Sequence, residues 1–198
     1  MLNILTFVIS YLIAALSPAI IISKRVLKKD IRELGSKNAG TTNAIRTMGK
    51  GIGAIVFVLD TLKVALSYII LLAIFALLKE EMSPVTKTLY MLASVIGHSY
   101  PVYYGFKGGK GVAVIIMSAI IVDYKLALAC VVVGVILIAI FRMVSLGSLV
   151  GVILLAVLSI FWGANFNFWI LLITVLVVIY NHRENIQRII AGKENKLF

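Results

Sequence analysis

The chain has 198 residues, of which 62% are hydrophobic and only 14% are charged. A soluble domain of this size carries about 25% charged residues and cannot bury so much apolar surface, so an ordinary soluble globular protein is excluded. Nineteen lysines and arginines against eight acidic residues give a net charge of +11, which points to an anionic surface or substrate, and the single cysteine excludes an intrachain disulfide.

The first apolar run, residues 2–22, carries no charge, and its first cations, Lys24 and Arg25, come after it. A cleavable signal peptide has the opposite order, with positive charge before the apolar stretch. About 20 residues are enough to span a bilayer. We therefore predict a retained transmembrane helix whose N-terminus lies outside.

Six further apolar runs follow, at residues 52–78, 82–102, 111–122, 126–141, 144–162 and 166–180. They predict an all-α polytopic membrane protein with about seven transmembrane helices in a single domain, residues 1–198. The fourth run, 111–122, is only about 18 Å long as a helix, short of the ~30 Å hydrocarbon core. It is either a short crossing helix or part of a re-entrant hairpin, which would leave five full spans.

Positive charge predicts the orientation of these helices. With the N-terminus outside, fifteen lysines and arginines fall on one side of the membrane and three on the other. Cytoplasmic loops carry the excess of lysine and arginine. The fifteen-cation side, which includes the C-terminus, is therefore predicted to be cytoplasmic.

The first polar cluster, residues 30–46, follows the first predicted span. Between Gly35 and Asn43 it contains only small or polar residues apart from Lys37. Short donors and an arginine fork suit a phosphate group, so the candidate site residues here are Ser36, Asn38, Thr41, Asn43 and Arg46. For the earlier cations of this loop, Lys24 to Lys29, we favour an ordinary solvated loop that obeys the charge rule.

Two charged residues, Asp60 and Lys63, lie inside the second predicted span, one helical turn apart. Charges within a membrane are costly and often functional. The simpler interpretation, which we favour, is an ion pair that neutralises both groups and faces other helices.

The second polar cluster, residues 97–113, contains Lys107-Gly108-Gly109-Lys110-Gly111 directly before an apolar run. Backbone N–H groups at a helix N-terminus, with lysines beside them, favour an anion cradle. The spacing of a Walker A motif is absent, and a plain tight turn is the alternative. We interpret His98 as a polar cap at the end of a span.

The third polar cluster, residues 181–194, begins where the last span ends. Asn181 and His182 stand at this boundary and are candidate site residues, whereas part of the following segment has the pattern of an amphipathic interfacial tail. Glu194 could bind a cation or tie down this tail, and we predict a structural role. Two histidines and few carboxylates give no metal site, and we predict no cofactor.

Together the three clusters resemble the acyl-phosphate-dependent glycerol-3-phosphate acyltransferases of bacterial phospholipid synthesis, the PlsY family. The resemblance is carried by residues 35–43 with Arg46, by Gly97-His98, Pro101 and 106–113, and by Asn181-His182, Asn185-Ile186, Arg188, Gly192 and Glu194. The motifs occur in the family's order and cover nearly the whole chain.

This resemblance implies transfer of a fatty acyl group from acyl-phosphate to the sn-1 hydroxyl of glycerol 3-phosphate at the cytoplasmic face of a bacterial inner membrane. Acyl-CoA is not a donor in this family, and its soluble partner is the enzyme that makes acyl-phosphate. The resemblance assigns Lys107, Gly108, Gly109, Lys110 and Gly111 to glycerol 3-phosphate. Ser36, Asn43 and Arg46 then hold the acyl-phosphate, although the two assignments can be exchanged.

Acyl-phosphate has a good leaving group, so no covalent acyl-enzyme is required, and we predict Ser36, Arg46, Asn181 and His182 as the catalytic residues. The base is either His182 or the substrate's own phosphate. We favour the substrate phosphate, in which case His182 and Asn181 hold that phosphate by hydrogen bonds.

Proteins of other classes are weaker alternatives. An organic-phosphate transporter would need an anion entrance on the far side, where the lysines only balance the acidic residues. A non-catalytic scaffold does not explain the glycine-rich segment, and the membrane context disfavours nucleic-acid binding.

Overall fold

The structure is a computed structural model that describes residues 1–162 and 165–196. Within these ranges the regular elements are helices. In chain order they are α1 (Leu2–Ala14), α2 (Pro18–Val26), α3 (Thr41–Leu77), α4 (Pro84–Ser99), α5 (Val112–Val122), α6 (Tyr124–Phe141), α7 (Val144–Ser159), α8 (Phe168–Asn181) and α9 (Arg183–Ile190). The all-α prediction is thus confirmed for the described part of the chain.

The first apolar run is not one helix, as we predicted, but two. Helix α1 ends at Ala14 and α2 begins at Pro18, with Ser17 in an extended conformation between them. Proline has no N–H to continue the hydrogen bonds of a preceding helix, but it fits the first position of a new one. The break leaves the Leu16 carbonyl outside the helices, where it accepts a hydrogen bond from Lys63 Nζ at 2.6 Å.

Helix α3 is longer than the apolar run that predicted it, because it begins at Thr41 rather than near residue 52. A kink at Gly49, where φ is 87°, separates its polar first turns from its apolar body. Glycine reaches this left-handed conformation without a steric penalty. The polar first turns therefore lie in a different direction from the part of α3 that crosses the core.

Helices α5 and α6 form a hairpin around one residue, Asp123. Its carboxylate accepts a hydrogen bond from the Leu126 N–H at 3.1 Å and caps α6. Asp123 also lies within 3.5 Å of Asn165, shortly before α8. The α5–α6 turn thus sits near the start of α8, and whether α5 crosses the membrane or is re-entrant stays a prediction.

The core is formed by side chains of α3 to α8, and includes Val64, Tyr90, Ile115 and Leu171, which are all fully buried. Outward-facing leucine, valine and isoleucine side chains on α3 and α6 are exposed instead. Such a wide apolar exterior suits a hydrocarbon environment.

Within the described residues, three segments are long and apolar enough to cross a membrane, namely Leu2–Val26, Thr41–Leu77 and Tyr124–Phe141. Helices Val112–Val122, Val144–Ser159 and Phe168–Asn181 are apolar but shorter. The count of seven spans stays a prediction.

Candidate active site

The three polar clusters meet in one cleft of about 750 Å³. It is lined by every site residue predicted above: Ser36, Asn38, Thr41, Asn43, Arg46, Lys107, Gly108, Gly109, Lys110, Gly111, Asn181, His182 and Glu194. Segments far apart in the chain are thus brought together, as a single site requires.

Asn43 organises the loop before α3. Its side chain is fully buried. Its Oδ1 accepts the Ser36 N–H at 2.8 Å, and its Nδ2 lies within 3.2 Å of the carbonyls of Ile31, Leu34 and Asn38. The amide is engaged by the backbone of its own loop, so Asn43 shapes the wall of the cleft, which differs from the direct contact with substrate that we predicted.

Two helix N-termini contribute to the cleft. Helix α3 begins at Thr41 and α5 at Val112, and both starts line it. The first N–H groups of a helix lack intrahelical partners and carry partial positive charge. Arg46, one turn into α3, also lines the cleft and has an exposed side chain. The site therefore concentrates positive potential from backbone and side chains.

The glycine loop, residues 107–111, differs from the cradle predicted for it. The N–H groups of Gly108 and Gly109 donate to the carbonyls of Ser99 and His98, at 3.0 and 3.1 Å. These two N–H groups close the end of α4 and do not serve an anion, which corrects the role expected for them. The donors that remain for an anion include those of the first turn of α5.

The glycines are required for a steric reason. A Cβ on Gly108 would lie 2.1 Å from the His98 carbonyl oxygen, and one on Gly109 would lie 2.1 Å from His98 Nε2. Gly111 caps α5 with a φ of 90°, in the left-handed region. The loop thus lies directly on the end of α4, where side chains do not fit.

Asn181 lines the cleft, and one of its polar atoms has no hydrogen-bond partner in the described part of the chain. Its Oδ1 accepts a hydrogen bond from the Tyr100 hydroxyl at 2.6 Å, which fixes the orientation of the amide. Its Nδ2 is buried and has no hydrogen-bond partner among residues 1–162 and 165–196. Buried polar groups are nearly always paired, so this donor fits a ligand.

Ser99 is a second residue with a buried, unpaired polar group, and the sequence alone did not identify it. Ser99 lines the cleft, and its hydroxyl is buried and has no hydrogen-bond partner in the described ranges. It stands 3.4 Å from the position of a Cβ on Gly111. A lone serine at the end of a span carries no motif by which it could have been found.

His182 is almost fully buried, and its Nδ1 lies 2.8 Å from the Val178 carbonyl oxygen. A carbonyl only accepts, so the ring proton is on Nδ1, and Nε2 has a free lone pair. Burial and the nearby Lys110 lower the pKa of His182 to about 4, although the bond to Val178 opposes this shift. At neutral pH Nε2 is therefore an acceptor, and the expected hydrogen bond from His182 to a phosphate does not fit this geometry.

Lys110 and Glu194 are joined through Asn185. Lys110 Nζ donates to Asn185 Oδ1, and Asn185 Nδ2 donates to Glu194 at 2.6 Å. Burial lowers the pKa of Lys110, and the positive charge of Arg188 acts in the same direction. Glu194 also accepts hydrogen bonds from Ser145 and Arg188, both at 2.8 Å. The tail thus ties α7 and α9 to the lysine of the glycine loop.

Arg32 is another residue of the cleft region that the sequence alone did not identify. Its guanidinium forms two bonds with Asp30, at 3.0 and 2.9 Å, and donates to the carbonyls of Tyr104 and Lys107. The hydrogen bond from Arg32 lowers the pKa of Asp30 to about 2. This pair links the first loop to the glycine loop. Among the many cations of the sequence, nothing distinguished Arg32 from its neighbours.

Replacing Glu194 by glutamine is expected to lower the free energy of unfolding by about 2 kcal/mol, the usual size of a hydrogen bond to a charged group. Burial opposes the charge of Glu194, but hydrogen bonds from Asn185, Ser145 and Arg188 lower its pKa overall from 4.5. Its contribution is therefore present above about pH 4.5 and is lost as the pH falls. Thermal unfolding of wild type and variant at pH 7 and pH 4 measures both effects, and the difference should shrink at pH 4.

Glu184→Gln is the matched control, because Glu184 also pairs with Arg188, but its side chain lies on α9, is 70% exposed and is 4.0 Å away. An exposed pair contributes little, so this variant should unfold like wild type. Equal destabilisation of both variants would contradict the role given to Glu194.

The arrangement suits a reaction between two anions. It offers a lysine, an arginine, two helix N-termini and unpaired amide and hydroxyl groups around one cleft. In the described part of the chain no group of three or more histidine, cysteine or acidic side chains could hold a metal ion. The lysine, arginine, helix N-termini, amide and hydroxyl groups can position anions and stabilise negative charge by hydrogen bonds.

Comparison with known sequences identifies related proteins over the whole chain. Residues 4–192 match the family model described as glycerol-3-phosphate acyltransferase. Glycerol-3-phosphate acyltransferase from Thermoanaerobacter pseudethanolicus is 38% identical over 195 residues, which cover 98% of this chain and 95% of that protein. The protein of the same name from Alkaliphilus metalliredigens is 36% identical, covering 100% of this chain and 97% of its own length.

Two solved structures have the same fold. Both are of PlsY (YgiH), an integral membrane glycerol 3-phosphate acyltransferase. Its glycerol 3-phosphate form matches with a TM-score of 0.87 and 32% identity, covering 99% of this chain and 96% of that one. Its lysophosphatidic acid form matches with a TM-score of 0.84 and 33% identity, covering 99% of this chain and 95% of that one.

Proposed function

The chain belongs to the glycerol-3-phosphate acyltransferase family, as an integral membrane enzyme of phospholipid synthesis, and from this premise we propose that its acyl donor is acyl-phosphate. The proposed reaction transfers the acyl group to the sn-1 hydroxyl of glycerol 3-phosphate and releases lysophosphatidic acid and inorganic phosphate. The family membership does not favour the alternative of a phosphate transporter.

The observation that carries this proposal is the meeting of all three polar clusters in one cleft. Both proposed substrates carry a phosphate, and the cleft has enough cations and helix N-termini for two anions. Lys107, Lys110 and the start of α5 would hold glycerol 3-phosphate. Ser36, Asn38, Thr41 and Arg46, at the start of α3, would hold the acyl-phosphate head.

An apolar groove leads away from the cleft and suits a fatty chain. It lies between α5, α6 and α7, has a volume of about 80 Å³, and shares Ile116, Ile138 and Ser148 with the cleft. Its lining is almost entirely apolar. A carbonyl at the mouth of this groove would stand beside the polar groups of the cleft.

The chemistry needs no protein nucleophile, because phosphate leaves readily from a mixed anhydride. The hydroxyl oxygen of glycerol 3-phosphate attacks the carbonyl, and Asn181 Nδ2 would donate to the oxygen that becomes negative. His182 Nε2 would accept the hydrogen bond of the attacking hydroxyl and orient it. With a pKa of about 4, His182 is a weak base at neutral pH, so the substrate phosphate would take the proton.

The excess of cations on this side of the chain supports a position of the cleft on the cytoplasmic face of a bacterial inner membrane. Glycerol 3-phosphate and the soluble enzyme that makes acyl-phosphate would both reach it from that side. The latter partner is an expectation from the family.

The proposal is tested by measuring phosphate release by the purified full-length protein from palmitoyl-phosphate, with and without glycerol 3-phosphate. Release that requires glycerol 3-phosphate and yields lysophosphatidic acid is the expected result. Palmitoyl-CoA in place of palmitoyl-phosphate should give no product. Turnover with palmitoyl-CoA but not with palmitoyl-phosphate would refute acyl-phosphate as the donor. Absence of turnover with both compounds, in folded protein supplied with lipid, would refute the proposed reaction.

The pH dependence of kcat/KM for glycerol 3-phosphate distinguishes the two possible bases. A phosphate monoester has its second pKa near 6, so substrate assistance predicts a constant kcat/KM above about pH 6 and a tenfold fall per unit below it. A His182 base would move this fall to about pH 4. His182→Gln should lower the rate but keep the fall near pH 6, and a variant profile without any acidic fall would contradict the substrate-phosphate base.

A further inference from the structure

Three ionisable side chains meet beneath the glycine loop. The predicted ion pair is confirmed, since Lys63 Nζ lies 2.7 Å from Asp60 Oδ1. His98, from the end of α4, joins it, with Nδ1 at 3.1 Å from Lys63 Nζ and 3.4 Å from Asp60 Oδ1. All three residues are less than 10% exposed, and Asp60 and His98 line the floor of the cleft.

The geometry assigns the proton of the His98 ring. The Lys63 ammonium has three N–H donors and no acceptor, and it lies 2.6 Å from the Leu16 carbonyl oxygen and 3.1 Å from His98 Nδ1, with Asp60 Oδ1 as its ion-pair partner at 2.7 Å. Nδ1 therefore accepts, and the ring N–H is on Nε2. That nitrogen faces the glycine loop, on the side opposite the charges.

His98 supports the loop at two points. Its carbonyl accepts the Gly109 N–H at 3.1 Å. Its Nε2 lies so close to Gly109 that a Cβ there would be 2.1 Å away. A rotation of the ring would therefore displace Gly109 or open a gap under it. The position of the loop, and of Lys110 next to it, depends on the orientation of this imidazole.

Stability alone is a weak reason for such a network. A buried ion pair loses on desolvation much of what it gains in attraction, and apolar replacements of similar volume are often as stable. Polar groups within a membrane carry a similar cost. Apolar side chains could replace the network in packing, but they could not fix the orientation of the His98 ring.

We propose that Asp60, Lys63 and His98 are positioning residues that hold the glycine loop in the conformation that binds glycerol 3-phosphate. The proposal rests on the function proposed above and adds a specific element to it. Asp60 and Lys63 act through His98, and His98 acts through Gly109. The network affects binding of the acceptor substrate and leaves the acyl-phosphate site, on the first loop, unchanged.

The test is steady-state kinetics of the full-length protein with both substrates varied, for His98→Asn and for the double variant Asp60→Asn/Lys63→Gln. His98→Asn keeps an acceptor near Lys63 and withdraws the part of the ring that touches Gly109. The double variant removes both charges together, so neither is left unpaired. Both should raise KM for glycerol 3-phosphate about tenfold or more, with KM for palmitoyl-phosphate within about twofold of wild type.

Tyr90→Phe is the matched control. Tyr90 is fully buried and its hydroxyl donates to the Val64 carbonyl at 3.0 Å, so it also joins α4 to α3 but does not reach the cleft. This variant should lose some thermal stability with both KM values unchanged. Network variants that behave like Tyr90→Phe would overturn the proposal and assign the network a structural role.

Gly109→Ala tests the contact between His98 and Gly109 by changing the residue on the loop, and it leaves the buried charges in place. Its penalty on KM for glycerol 3-phosphate should be large in wild type and much smaller together with His98→Asn, where the added methyl has room. Additive effects of Gly109→Ala and His98→Asn would contradict the contact. This test does not require the Asp60→Asn/Lys63→Gln variant to fold. Absence of turnover in wild type would instead refute the proposed function, so the two failures are distinguishable.

Discussion

Replacing Gly108 by alanine is expected to lower kcat/KM for glycerol 3-phosphate by about 100-fold or more, the effect of moving reacting groups by about 1 Å. The added Cβ would lie 2.1 Å from the His98 carbonyl oxygen and 2.7 Å from Pro101 Cδ. Neither obstacle is a flexible side chain, since one is backbone and the other is a proline ring at the end of α4. The loop must therefore move, and Lys110 and the start of α5 must move with it.

The measurement is the initial rate of phosphate release at several concentrations of glycerol 3-phosphate, with the thermal unfolding temperature of each variant recorded beside it. Gly51→Ala is the matched control, because Gly51 lies in the first part of α3 and a Cβ there meets nothing within 4 Å. Alanine favours a helix over glycine by about 0.5–1 kcal/mol. This variant should be active and slightly more stable, whereas an active Gly108→Ala would contradict the packing of the loop on α4.

The sequence predicted the helices because a membrane imposes a simple rule on the chain. Apolar runs of sufficient length must form helices, since backbone groups have no other partners in hydrocarbon. The apolar run at 126–141 corresponds to α6, which begins two residues earlier, at Tyr124. The run at 2–22 was predicted less well, because one proline inside an apolar stretch is compatible with either a kink or a break. Pro18 starts a new helix here.

The candidate residues were identified by composition, but their contacts were not. Polar residues stand out in an apolar chain, which is why all of those chosen line the cleft. What each one contacts depends on how distant segments pack. Asn43 serves its own loop, the N–H groups of Gly108 and Gly109 serve α4, and Arg32 reaches the carbonyl of Lys107, 75 residues away. Sequence patterns within one segment contain no information about such pairings.

The unpaired donors of Asn181 and Ser99 also could not be recognised from the sequence. A buried donor without a partner is a strong indication of a ligand, but it is recognised only when burial and every neighbouring acceptor are known. The position of Asn181 after the last span made it a candidate, whereas its orientation depends on the Tyr100 hydroxyl, which comes from the end of α4.

Converting Asn181 to aspartate is expected to lower kcat about 1,000-fold, the upper end of the loss found when an oxyanion donor is removed. The substitution hardly changes the volume and keeps the oxygen that accepts the bond from Tyr100. It replaces the buried, unpaired Nδ2 by an oxygen. In the proposed mechanism, a donor to the developing negative charge becomes a negative acceptor, which would repel the transition state.

Asn167→Asp is the control for this change, because it is the same substitution on the same helix, α8, at its opposite end. Asn167 caps α8 through Oδ1, which accepts the Ile170 N–H at 3.1 Å, and aspartate caps helices equally well. Its rate should therefore equal that of wild type, measured as lysophosphatidic acid formed at saturating substrates. If Asn181→Asp folded and lost less than about tenfold in kcat, Nδ2 would not face the reacting carbonyl, and a donor of the first loop such as Ser36 would have to take that role.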